Sequence, residues 1–415
     1  MGGSVTVAVT DPRTVVETVW QMESARIIAG LARMVGDIGL AEELAQDTLV
    51  IALEQWPAHG VPQHPASWLT ATAKHRAVDL LRRQSRYREK LAEIGRAAPH
   101  AVDPDVAAGL DDYIGDDLLR LIFTTCHPIL STESRVALTL RLLGGLTTEE
   151  IARAYLVPEA TVGKRITRAK RTLAGSGVPI ELPPPAEASQ RLASVLEVIY
   201  LIFNEGYAAT SGDDWMRPAL CTEAMRLGRV LAGLAPQEPE VHGLVALMEL
   251  QASRMPARTA ADGSPVLLQD QDRGRWDRLL IRRGLQALAR TEGTFGPYVL
   301  QASIAACHAR ALRPEDTDWV RIAALYEVLA YVAPSPVVDL NRAVAVGHAD
   351  GPARALAIVD ALTLPHYPLL PAVRGDLLAR LGRTAEARDE FRRAAAMTRN
   401  ARERHVFESR AAELD

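Results

Sequence analysis

TTEEIARAYLVPEATVGKRITRAKRTL, residues 147–173, reads as two short helices joined by a tight turn. Thr147 and Glu150 have the spacing of a capping box, which starts a helix there. Pro158 falls where a second helix takes its first turn, after Leu156 and Val157 close the first. In that second helix Val162, Ile166, Ala169 and Leu173 recur at i, i+4, i+7 and i+11. At about 100° per residue they fall within one narrow arc. Lys164, Arg168 and Arg171 land on the opposite arc, with Thr161 and Arg165 beside them. One face can be buried while the other meets phosphates and base edges, as a helix-turn-helix recognition helix requires. The competing reading is a solvated helical hairpin with a positive face.

The rest of the chain is written in the same alphabet. Its 415 residues suffice for two or three domains. Hydrophobic residues make up 48% and aromatics only 5%; helix formers abound and strand-rich runs are scarce, so the expected fold class is all-α. The net charge of -4 does not advertise a polyanion partner, but local charge does. Residues 74–90 hold seven Lys/Arg against two acids, and residues 159–171 hold five against one. Two basic patches in a mildly acidic chain imply two focused contacts with a polyanion.

Cys126, Cys221 and Cys307 are isolated, with no CxxC, which fits a reducing cytoplasm and argues against a thiolate metal site. No metal or cofactor is expected. The opening MGGSVTVAVT lacks the order of a signal peptide, and no apolar run approaches the ~20 residues that span a bilayer. The expectation is a cytoplasmic protein with no membrane partner.

Composition shifts divide the chain. Residues 14–90 form a first helical block, 91–115 an acidic linker with Pro99 and Pro104, and 116–175 a second block ending in the helix-turn-helix. GSGVPIELPPPAEA, residues 175–188, is a Gly/Pro break before a larger helical region, 189–415. Within the first block, residues 40–56 read as a helix carrying Glu42, Glu43 and Asp47. PAHGVPQHPAS follows as a three-proline loop, then a helix with Leu69, Ala73, Ala77 and Leu80 inward and Lys74, Arg82 and Arg83 outward.

In this arrangement the chain resembles an extracytoplasmic-function sigma factor of RNA polymerase. The helix ending AVDLLRR, with Trp68 and Leu69 near its start, looks like sigma region 2.4, and the acidic helix before it like region 2.2. The helix-turn-helix looks like region 4.2, and no region 3 lies between the blocks. The resemblance implies binding to core RNA polymerase, at the β′ clamp helices and the β flap, with Glu43 and Asp47 as contacts. It implies promoter DNA as second partner. Thr161, Lys164, Arg165, Arg168 and Arg171 would meet the -35 element, and His59, Gln63, His64, Lys74, Arg82 and Arg83 the -10 element.

The tail goes beyond a minimal sigma factor. Residues 368–399 fit a tetratricopeptide-type (TPR-like) hairpin through Gly375, Gly382, Ala387, Phe391 and Ala394, with Leu378 in the aromatic's place and Arg399 where proline is usual. One repeat length earlier, Asn341 replaces the packing glycine. A sigma factor with such a tail resembles a subgroup in which the tail is regulatory and small DGPF/YCII-related proteins are candidate partners. FNEGY (203–207) and LLQDQDRGRWD (267–277) gather Glu205, Asp270, Asp272, Arg273 and Asp277 with aromatics. Without HExxH, paired histidines or a nucleophile elbow, they read as a buried polar network or partner surface, not an enzyme site. The alternative for the whole chain is a one-component helix-turn-helix regulator with a repeat-type sensor domain.

Overall fold

The computed structural model of the chain describes residues 11–94, 114–155, 157–209, 215–260, 264–291, 293–365 and 367–414. The opening decapeptide and most of the expected linker lie outside these residues. Among the described residues there is no strand; isolated bridge residues occur, among them the pair Thr259 and Pro265. No described helix is long and apolar enough to cross a membrane. The chain divides into two compact units, 1–198 and 199–415.

The first unit opens with α1 (Pro12–Val35), α2 (Ile38–His59) and α3 (Pro65–Ile94), which pack on one another. Asp11 caps α1 by accepting from the Arg13 amide, and Gly36, left-handed at φ 71°, ends it. Asp37 then caps α2, accepting from the Leu40 amide at 2.8 Å. Leu31, Leu44, Trp56, Leu69, Ala73 and Ala77 are buried between these helices, whereas Leu80 is only half-buried. Trp56 and Trp68 meet edge-on with centroids 5.6 Å apart. The loop is shorter than its prolines suggest. Pro57 sits within the last turn of α2 and Pro65 is the first residue of α3, so only residues 60–64 connect them.

Next come α4 (Ile114–Thr125), α5 (Thr132–Leu142), α6 (Thr148–Tyr155) and α7 (Glu159–Gly175). The turn between α5 and α6 uses two glycines for two reasons. Gly145 adopts φ 69°, and a Cβ on Gly144 would lie 2.6 Å from the Leu140 carbonyl oxygen. The capping box forms as read: the Glu150 amide donates to Thr147 Oγ1 at 3.1 Å and the Thr147 amide to Glu150 Oε2 at 2.8 Å. Pro158 is the N-cap residue of α7 and not part of its first turn.

The division between units falls inside α8 (Pro185–Tyr207). Its first half bonds to the second block: Arg191 donates to the Phe123 carbonyl at 2.9 Å, Ser194 to that of Cys126 at 2.7 Å, and Arg135 pairs with Glu197 at 3.0 Å. The first unit therefore extends past the Gly/Pro-rich stretch.

The second unit continues with α9 (Pro218–Leu234), α10 (Pro239–Ala252), α11 (Arg278–Ala289), α12 (Pro297–Arg310) and α13 (Trp319–Val332). It ends with α14 (Pro336–Ala349), α15 (Pro352–Asp360), α16 (Leu369–Arg380), α17 (Thr384–Met397) and α18 (Ala401–Ala412). Each helix packs on the next, so every hairpin finds in its neighbour the apolar face it lacks alone. In the α16–α17 hairpin, Gly375 brings the backbone so close that a Cβ there would lie 3.2 Å from the Phe391 ring. Leu378, Ala387, Phe391 and Ala394 are buried around it, and Gly382 turns the chain at φ 75°. In the preceding hairpin the packing glycine is Gly347. Its Cβ would lie 3.1 Å from Leu377 and 3.2 Å from Ala355. A fixed 34-residue spacing, which lands on Asn341, misses it because the two hairpins differ in register.

Candidate nucleic-acid interface

Helix α7 is split as its periodicity demands. Val162, Ile166, Ala169 and Leu173 are buried, in a helix that packs on α5 and α6. On the outer side Lys164, Arg168 and Arg171 line a shallow groove with Gly163 and Thr167. Thr167 escaped the sequence reading; its place one turn from Lys164 and Arg171 was the available signal. Thr161 is half-buried at the start of the helix. Arg165 is also half-buried, and its charge acts on Glu133 at the start of α5. The Glu133 carboxyl is held below its ordinary value first by a backbone hydrogen bond, then by Ser131, with the charge of Arg165 adding to both.

The remaining cation, Lys170, turns the other way. Glu42 of α2 is buried, and its carboxylate binds Arg141 Nε at 2.7 Å and the Lys170 ammonium. A second pair, Arg33 to Asp117 at 3.0 Å, joins α1 to α4. These pairs hold the two small blocks of the first unit together. Glu42 was legible only in part: it lies in the buried arc of α2 with Ile38, Ala41 and Ala45, where a carboxylate requires a partner.

Glu43 and Asp47 are exposed on α2, and Asp47 pairs with Arg76 of α3. His59 is not a loop residue but the last residue of α2, exposed, with Nδ1 3.2 Å from the Gln55 carbonyl oxygen. Gln63 and His64 are exposed in the 60–64 connection. On α3, Lys74 is half-buried, and Arg82 and Arg83 are exposed.

The tail motifs form buried networks. Glu205 pairs with Arg217, and Gly206 lets the backbone pass where a Cβ would lie 2.7 Å from the Cys221 amide nitrogen. Arg258 donates to the Tyr207 carbonyl and lies over the Tyr207 and Trp215 rings, at 3.5 and 4.2 Å. Asp272 and Asp277 cap helical turns instead of converging on a site. Among the described residues no three His, Cys, Asp or Glu side chains are grouped as a metal would need.

His308, buried in this region, has its pKa pushed down to about 3 by burial, helped by Arg254, Arg273 and His348. Folded protein keeps the ring neutral while unfolded chain protonates it. His308 therefore contributes full stability above pH ~6.5. That contribution is expected to fall by about 1.4 kcal/mol per pH unit as the pH drops from ~6.5 towards ~3. Urea midpoints at pH 7 and pH 5 check this: His308→Gln should show a smaller loss between them than the parent.

Residues 20–87 match the Sigma-70 region 2 family, and residues 120–173 the Sigma-70, region 4 family. The chain is 31% identical to the ECF RNA polymerase sigma factor SigL of Mycobacterium tuberculosis, over 34% of this chain and 76% of SigL. The chain belongs to the ECF RNA polymerase sigma factors. SigC of the same organism is 29% identical over 39% of this sigma factor and 81% of its own length. The tail is what sets the sigma factor apart from these relatives, since residues 191–292 match a family of unknown function, DUF6596. A Rhizobium meliloti protein, "Uncharacterized protein R00370", is 45% identical over 91% of the chain and 90% of its own length. The crystal structure of yeast Tom70 aligns with 98% of the chain at a TM-score of 0.31 and 12% identity, too slight a likeness to argue from.

Proposed function

We propose that this sigma factor binds core RNA polymerase and directs it to a two-part promoter, under regulation by its tail. The observation that carries this reading is the split face of α7, with its buried apolar stripe and its groove of Lys164, Arg168 and Arg171. Cations on that face neutralise phosphates and fix register, while base edges in the major groove supply sequence reading. The -35 element is assigned to α7 with Thr161 and Arg165. The -10 element is assigned to His59, Gln63, His64 and the outer face of α3, and the polymerase contact to Glu43 and Asp47. A small DGPF/YCII-related protein is the candidate partner of the tail. A one-component regulator would have no need of the region 2 block, which favours the sigma reading. In vitro transcription with purified core polymerase lacking any other sigma tests it: a promoter-specific transcript is expected, and none would appear if the chain were a one-component regulator.

Two substitutions divide the work of α7. Arg168→Ala should weaken binding to all promoter sequences alike and lessen its salt dependence. Arg165→Ala should relax base preference by ~1–3 kcal/mol at one position. Unchanged -35 binding in both variants would mean that the reading face lies elsewhere.

Strand opening belongs to the other block. Holding an unstacked base costs a few kcal/mol, which new contacts must offset. Replacing His59, Gln63 and His64 together by alanine should leave -35 duplex binding intact and reduce permanganate reactivity of unpaired thymines. Equal reactivity in variant and parent would count against this assignment.

A further inference from the structure

We propose that the C-terminal unit carries a binding site for a small oxyanion, a carboxylate or phosphate group, at Arg254 and Arg273 beside Trp276. The two guanidinium groups lie over the Trp276 ring, at 5.6 and 5.1 Å from its centroid. Arg273 is buried, yet among the described residues its guanidinium donates only to neutral acceptors: the carbonyls of His308 at 3.0 Å and Ala311 at 2.8 Å, and Thr317 Oγ1 at 2.9 Å. Its Nε has no partner, and neither does the buried Nδ1 of His308. Arg254 is half-buried and donates only to the amide oxygens of Gln251 at 3.0 Å and Gln271 at 3.3 Å.

Among the described residues no carboxylate forms an ion pair with Arg254 or Arg273, and several nearby are committed elsewhere. Glu205 pairs with Arg217 and Glu249 with Arg229, while Asp272 and Asp277 cap helical turns. Asp316 and Glu315, whose charges reach Arg273, are paired with Arg313. Two cations over one ring, Arg273 buried and Arg254 half-buried, neither with an ion pair among the described residues, repel one another, and the buried one is costly to desolvate. An oxyanion removes both costs, and the planar fork of Arg254 suits two of its oxygens. Arg254 reaches solvent, as do Gln269 and His348. The latter two are joined at 2.9 Å, and His348 stacks on Trp319 at 4.1 Å, giving a neutral polar rim. The chemistry fits a small acid better than a nucleic-acid strand, because Arg273 is buried and the two cations do not line a track.

The test uses the full chain at pH 7.5, in sodium phosphate or sodium citrate, each matched in ionic strength with sodium chloride. One oxyanion should raise the melting temperature of the C-terminal unit saturably, by about 2–4 °C, and which one does so names the class. Arg254→Gln should abolish that rise, yet melt no lower than the parent in chloride alone, since it removes one of two repelling cations. Arg254→Lys should keep part of the response. If neither oxyanion exceeds the chloride control, or if Arg254→Gln responds as the parent does, there is no such site. If Arg254→Gln melts lower in chloride, Arg254 is a structural residue and the proposal fails. None of these outcomes depends on transcription, so the sigma reading stands or falls separately.

Discussion

Glu42→Ala is expected to destabilise the first unit by about 3 kcal/mol, a large effect for one surface-length side chain. Glu42 is 6% exposed and holds two cations, Arg141 from α5 and Lys170 from α7. Removing the carboxylate leaves both cations without the partner that offsets their desolvation. Breaking a fully buried pair costs about 3–5 kcal/mol. The Arg141 and Lys170 side chains retain 22% and 25% exposure, so water recovers part of the loss and the low end applies. Two further variants separate charge from packing. Glu42→Gln keeps an acceptor for Arg141 Nε and should lose less. The triple replacement of Glu42, Arg141 and Lys170 by leucine, methionine and methionine should lie near the parent, because no charge is left stranded. Chemical denaturation resolves the first transition of each variant. A loss below about 1 kcal/mol for Glu42→Ala would mean that the cluster is solvated and adds little.

The same cluster marks what the sequence discloses and what it withholds. The amphipathic stripe of α7, the capping box at Thr147 and the stripe of α3 were legible because helix periodicity and capping are local rules. The partners of Glu42 were not. Arg141 lies 99 positions away, and one acid in an acidic helix looks like any other until a fold brings a cation to it. Lys170 and Arg171 are neighbours of equal charge, yet one turns to α2 and the other to the groove. Only the packing of α7 on the first block decides that. Likewise, composition locates the proline loop but not its length, since proline is tolerated in the last turn of α2 and favoured in the first turn of α3. In the tail, repeat spacing found Gly375 but not Gly347, because stacked hairpins need matching faces and not a constant period.

Phe391→Ala is expected to cost about 3–5 kcal/mol and to open the last hairpin of the tail. The ring is buried against Gly375, with the Arg410 guanidinium 4.5 Å from its centroid. Leu340, Leu356, Leu377 and Ala411 belong to the same core, so removing the ring weakens the core that helices α14 to α18 share. In a stacked array the loss at one interface loosens its neighbours. Glu386→Ala, which breaks only the exposed pair with Arg383, should leave the denaturation midpoint of the parent unchanged and serves as control. The functional consequence is tested beside a truncation, and its end point matters. A chain cut at residue 185 would strip Ser194 and Glu197 from Arg135 and the Cys126 carbonyl, damaging the DNA-reading block itself. Ending the chain after Val198 keeps those bonds. If the tail regulates initiation, Phe391→Ala and the 1–198 chain should shift transcription from a target promoter in the same direction, with -35 binding unchanged. A folded 1–198 chain that transcribes at the level of the full chain, with and without the inducing signal, would leave the tail with no regulatory role.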